Sequence, residues 1–138
     1  MVPDSALAGY SGTPLPKKLG IKAGNRVLLV GAPEGFQSTL GSVPEGVKLA
    51  ARFSPSVDLI LWFVRSERAL KKGIEKWAGR VGKGGIWILW AKQSSELSTD
   101  LKQNTVRQIG LKAGLVDYKV AAVDQTWSGL KFAVRKKK

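Results

Sequence analysis

The stretch Val57-Asp58-Leu59-Ile60-Leu61-Trp62-Phe63-Val64 is apolar at every position except Asp58. It has the length of a strand and no alternation, so both of its faces must be buried. A parallel sheet covered by helices makes that demand. Two more runs share this character, Arg26–Ala32 (RVLLVGA) and Ile86–Ala91 (IWILWA). Between Val64 and Ile86 the period changes. Ser66 is placed to cap a helix over Glu67–Val81. At about 100° per residue, Leu70, Ile74, Trp77, Ala78 and Val81 fall on one face of it. Gly82, Gly84 and Gly85 end it. A second helix is predicted over Thr99–Ala113, capped by Ser98 and stopped at Gly114. Buried strands alternating with helices imply a parallel sheet with crossover connections. The last two strands, Val116–Val123 and Leu130–Arg135, stand too close together for a crossover and must form an antiparallel hairpin.

Working outward, Val47–Arg52 is a weak strand candidate and Phe36–Leu40 leaves room for at most a short helix. Residues 1–25 read as an irregular lead-in punctuated by Gly and Pro, with a short turn near Lys17–Ile21. Residues 26–135 read as a single α/β domain, and 136–138 as a basic tail. The expected fold is a three-layer, Rossmann-like α/β structure. Its mostly parallel sheet has five or six strands and ends in an antiparallel C-terminal hairpin.

Composition narrows the chemistry. The 138 residues carry 23 Lys plus Arg against 10 Asp plus Glu, a net charge of +13, with no His and no Cys. Disulfides, thiolate nucleophiles and Cys-ligated zinc are excluded. So are imidazole bases and every triad built on His. No paired-carboxylate spacing, P-loop or metal cluster occurs, so no catalytic or metal residue is assigned and no cofactor is expected. No apolar run is long enough to span a bilayer. The first residues lack a signal-peptide pattern, so a cytoplasmic protein without a membrane partner is expected.

The approach and first strand, Leu19–Gly31 (LGIKAGNRVLLVG), resemble those of S-adenosylmethionine-dependent methyltransferases. Val57–Val64, Gly85–Ala91 and the Gly114–Arg135 hairpin are similar to the fourth, fifth and last two strands of that fold. Gly9–Gly20 (GYSGTPLPKKLG), Val30–Phe36 (VGAPEGF), Thr99–Leu101 (TDL) and Gly114–Phe132 (GLVDYKVAAVDQTWSGLKF) also resemble an uncharacterised bacterial domain family that has no known activity. The methyltransferase resemblance implies a Gly-x-Gly-type loop after strand one and an acidic residue at the end of strand two. This chain has Gly31-Ala32-Pro33-Glu34-Gly35 at the first place. At the second it has Arg52, and Pro33 removes an amide donor. Only Phe53–Ser56 separate the second and third strands, too few for a helical crossover. A helix–strand–helix section is missing, and the fold is a truncated one.

Two regions could bind a ligand. In open α/β sheets, ligands sit beyond the carboxyl ends of the strands. That rim gathers Gly31, Gly35, Arg65, Lys92, Ser94, Ser95, Asp124 and Trp127, beside a helix N-terminus suited to an anion. The plainer reading makes Ser98 and Asp100 helix caps and Asp124 a turn organiser. Trp127 is either a stacking platform or a cover for the sheet edge. The second region is a fan of cations, Arg68, Lys72, Lys76 and Arg80 at i+4 steps. Arg65 and Lys83 join it if the helix extends to them. Phosphate contact would use such a row, whereas a solvated face would serve only solubility. The expectation is a noncatalytic module binding nucleic acid or another polyanion through that face. One alternative is a small-molecule or nucleotide-binding enzyme at the rim, a degenerate methyltransferase. Another is a structural subunit that pairs with itself as a homo-oligomer.

Overall fold

A computed structural model of the chain describes residues 13–92 and 100–135. In chain order it contains α1 (Leu15–Lys18), β1 (Arg26–Val30), α2 (Phe36–Leu40), β2 (Lys48–Ala50) and β3 (Leu59–Phe63). Then follow α3 (Glu67–Ala78), β4 (Ile86–Ala91), α4 (Gln103–Lys112), β5 (Leu115–Ala122) and β6 (Trp127–Val134). The strands form one sheet in the order β2-β1-β3-β4-β6-β5. β1 to β4 run parallel, and β6 pairs antiparallel with both β4 and β5. The sheet is therefore mostly parallel and ends in the expected antiparallel pair.

Every residue of β3 and β4 is buried, because each strand packs helices or loops on both faces. On one face Ile60, Trp62, Ile88 and Trp90 meet Leu70 and Ile74 of α3 and Val106 of α4. On the other, Leu59, Leu61, Phe63, Trp87 and Leu89 meet Leu19, Ile21, Phe36 and Leu40. The supposedly irregular residues before β1 thus supply part of a core. Leu19 is fully buried, and its carbonyl accepts the Trp87 Nε1–H at 2.8 Å. The turn read near Lys17–Ile21 is a short helix two residues earlier, with Pro16 in its first turn, where a missing N–H costs nothing.

The connection from β2 to β3 has no helix. It spans residues 51–58 and returns across β1, where the Asp58 amide donates to the Arg26 carbonyl at 2.8 Å. Eight residues extend to about 26 Å, whereas two strand spacings need only about 10 Å. Within that connection Phe53 packs on the cluster that includes Leu70 and Ile74.

The predicted helix ends shift. α3 stops at Ala78, short of Val81, with Gly79 at its C-cap. α4 begins at Gln103, not Thr99, and Lys102 at its N-cap makes no side-chain capping bond. Ser98 and Thr99 lie outside the described residues. Asp100 caps the other helix: its Oδ1 accepts from the Glu67 amide at 2.9 Å, while Ser66 Oγ accepts from Ala69 at 3.0 Å.

Gly110 sits inside α4 although glycine disfavours helices, because a Cβ there would collide with the Phe132 ring. Gly110→Ala is expected to lower stability by about 1–3 kcal/mol through overpacking. That outweighs the gain of about 1 kcal/mol in helix propensity. Urea titration should show a lower midpoint at an unchanged slope.

Candidate functional site

At the strand-end rim, the structure brings Gly31, Arg65 and Trp127 together. Gly31 has φ +68°, a conformation natural for glycine. Its carbonyl accepts from Arg65 Nη1 at 2.9 Å. A Cβ on Gly31 would lie 3.0 Å from the Phe63 carbonyl oxygen and 3.3 Å from Arg65 Nη1. The close approach that Gly31 permits is therefore used by the chain's own arginine. The same guanidinium lies 5.5 Å from the centre of the Trp127 ring. Trp127 is buried, 4% exposed, and packs edge-to-face on Phe63 with centroids 5.1 Å apart. Its ring is a core element beneath Arg65, a cover for the sheet and not an exposed platform.

Lys92 and Asp124 also meet at the rim, but through the Asp124 backbone. Lys92 Nζ donates to the Asp124 carbonyl at 2.6 Å. The Asp124 carboxylate turns inward, and its Oδ1 accepts from the amides of Thr126 and Trp127, each at 2.8 Å. It organises the β5–β6 turn. Gly35 stands apart at the N-cap of α2 with φ +83° and open space around a built Cβ. Ser94 and Ser95 lie outside the described residues. Beside the Asp124 turn an open groove of about 580 Å³ runs past Leu15, Ser38, Thr39, Gly41 and Thr126. Sequence reasoning missed its α1 and α2 walls.

On the opposite helical layer, Arg68, Lys72, Lys76 and Arg80 are all exposed. Among the described residues the only ion pairs are Lys71–Glu67 and Arg107–Asp117, so none of these four cations has a carboxylate partner there. Glu75, on the same helix, makes no such pair. Lys76 Nζ lies 4.9 Å from the Trp77 ring centre. Arg80 stands 4.7 Å from the Phe53 ring and 5.4 Å from Trp77. The aromatic flank was not foreseen. Two expected members do not continue the row. Arg65 is committed to Gly31 and Trp127, and Lys83 lies in the exposed turn after α3 has ended.

The methyltransferase cofactor does not fit the groups at the strand ends. β2 ends at Ala50, followed by Ala51 and Arg52, so no acid stands where ribose hydroxyls would be held. Arg65 fills the space beside Gly31. No group of His, Cys, Asp and Glu among the described residues could hold a metal ion, and no helix among them is long and apolar enough to cross a membrane.

No family model and no curated protein matches the chain. Solved structures do. A methyltransferase dependent on S-adenosylmethionine from Aquifex aeolicus superposes with TM-score 0.59 at 18% identity, over 96% of this chain and 94% of its own. A type 11 methyltransferase from Sulfolobus solfataricus gives 0.56 at 16% identity, covering 90% and 91%. A protein of the NAD-binding Rossmann superfamily from Streptococcus agalactiae gives 0.54 at 10% identity, covering 93% and 70%. At these identities the likeness is one of fold, and the fold is methyltransferase-like.

Proposed function

We propose that this chain is a noncatalytic binding module on a methyltransferase-like fold, taking a polyanion, most directly nucleic acid, across the exposed face of α3. The observation that carries the reading is the row Arg68, Lys72, Lys76 and Arg80. It lacks carboxylate partners among the described residues and is flanked by Trp77 and Phe53. Like charges at i, i+4 cost a few tenths of a kcal/mol each, and phosphates would repay that cost. Cations beside aromatic rings also suit a flexible strand whose bases stack. Fluorescence titration with short single- and double-stranded oligonucleotides at two salt concentrations tests it. Binding that weakens steeply with salt is expected. No binding at low salt, or binding indifferent to salt, overturns it.

A second reading rests on the fold of the neighbours and on the groove beside Asp124. It is a small-molecule or nucleotide site at the rim, left from a methyltransferase. Thermal shift with S-adenosylmethionine, its demethylated product and nucleotides separates the two. A rise in melting temperature with any of them, unaffected by changes on α3, favours the rim. No rise removes this reading.

A further inference from the structure

The opposite face of the sheet carries a second concentration of positive charge, built around a buried lysine. Lys131 of β6 is 8% exposed, an unusual place for an ammonium group. Strand alternation turns it away from Leu130 and Phe132, whose side chains pack with α3 and α4. Its Nζ lies 5.8 Å from the Trp87 ring centre and 5.7 Å from that of Tyr118, and donates to the Leu19 carbonyl at 3.4 Å. Gly20 leaves room for it, since a Cβ there would stand 2.6 Å from Nζ. The β5 register slips between Asp117 and Lys119, and Lys119 pairs directly with Lys131. That bulge puts Tyr118 and Lys119 on the same face.

Burial first, then Lys119 and Lys22, hold the Lys131 ammonium below the ordinary lysine value. Burial, Lys92 and Lys119 do the same to Lys18. Burial raises the Tyr118 phenol, so the ring brings no negative charge. Lys18 Nζ donates to the Ala122 carbonyl at 2.9 Å and Lys92 Nζ to that of Asp124 at 2.6 Å. None of the ion pairs among the described residues includes Lys22, Lys119 or Lys131.

Lys22 and Lys119 thus flank Lys131, and Lys18 and Lys92 follow along the end of β5, held at the carbonyls of Ala122 and Asp124. We infer that this lysine cluster, centred on Lys131 and Lys119, is a second anion site that takes a multiply charged phosphate chain, free or borne by a nucleoside. A single inorganic phosphate offers at most two negative charges, whereas a triphosphate spans several lysines. Tyr118, 56% exposed, stands beside Lys119 as a surface on which a base can stack. The site is independent of α3, which lies across the sheet.

Solution NMR of lysine side chains labelled at Cε and Nζ tests the inference, with inorganic triphosphate and adenosine triphosphate as probes in separate arms. An anion favours the charged amine, so the titration midpoint of Lys131 should rise when triphosphate is bound. The Lys119 signal should shift at the same ligand concentration, and the response should weaken several-fold in the double variant K22Q/K119Q. A variant of α3, R68Q/K72Q, should leave it unchanged. Tighter response to the nucleoside form, lost in Tyr118→Ala, assigns the source to a nucleotide. Equal response to both assigns a free phosphate chain. No movement of Lys131 and Lys119 at millimolar probe overturns the site. So does a response abolished by the α3 changes alone. Loss of oligonucleotide binding in R68Q/K72Q with the Lys131 response intact keeps the two surfaces distinct.

Discussion

Trp87→Ala is expected to lower the unfolding free energy by about 3–5 kcal/mol, the range for emptying a large buried aromatic site. A small domain has about 5–15 kcal/mol in total, so this single change removes a large share of it. Trp87 is fully buried in central β4. It packs with Leu61 and Leu89, and its indole edge meets Gly129, where a built Cβ would lie 3.0 Å from Cε3. Its N–H holds the Leu19 carbonyl at 2.8 Å, tying the segment before β1 to the sheet. Alanine removes the ring and the tie together. Trp87→Phe separates them, because it keeps most of the volume and loses only the donor. The Leu19 carbonyl would retain Lys131 at 3.4 Å, so a cost nearer 1 kcal/mol is expected. Chemical denaturation of both variants measures the difference. A phenylalanine variant as unstable as the alanine one would show that the hydrogen bond, and not the ring, anchors that segment.

The contrast between Trp87 and the residues it holds shows where sequence reasoning succeeds. LILWF and IWILWA are legible as strands because burial on both faces leaves no polar position to confuse the period. Their parallel order and the terminal antiparallel pair follow from what separates them in the chain. Leu19 and Ile21 were hidden because Gly20 and Gly24 break the local pattern, and their burial depends on contacts with β3 and β4 that no short window contains. The same is true of sites. The i+4 row on α3 is visible because a helix repeats. The pairing of Lys119 with Lys131 depends on a bulge at Tyr118, and a one-residue slip sends a side chain to the other face. Arg65 had a signal in Gly31, since a glycine at a strand end announces a close approach. Nothing local says that the approaching group is an arginine from β3's end rather than a ligand.

Converting Arg68, Lys72, Lys76 and Arg80 together to glutamine is expected to weaken oligonucleotide binding by about three orders of magnitude near 0.1 M salt. It should also flatten the salt dependence by up to about 3.6 in log–log slope for duplex DNA, at about 0.9 for each phosphate contact. Stability should change little, because two effects of opposite sign meet in these side chains. Removing like charges at i, i+4 relieves a few tenths of a kcal/mol per pair. Losing Lys76 from Trp77 and Arg80 from Phe53 forfeits contacts worth about 0.5–1 kcal/mol each. A melting temperature close to that of the parent, with the far-ultraviolet spectrum preserved, would confirm that any lost affinity reflects charge and not unfolding. The slope is the more discriminating measurement. If all four cations contact phosphate, single variants each remove about one unit and their effects accumulate. If Arg80 instead serves mainly to hold Phe53 against the core, Arg80→Gln will lower the melting temperature and leave the slope unchanged. A quadruple variant that keeps both the affinity and the slope of the parent would remove α3 as the binding face.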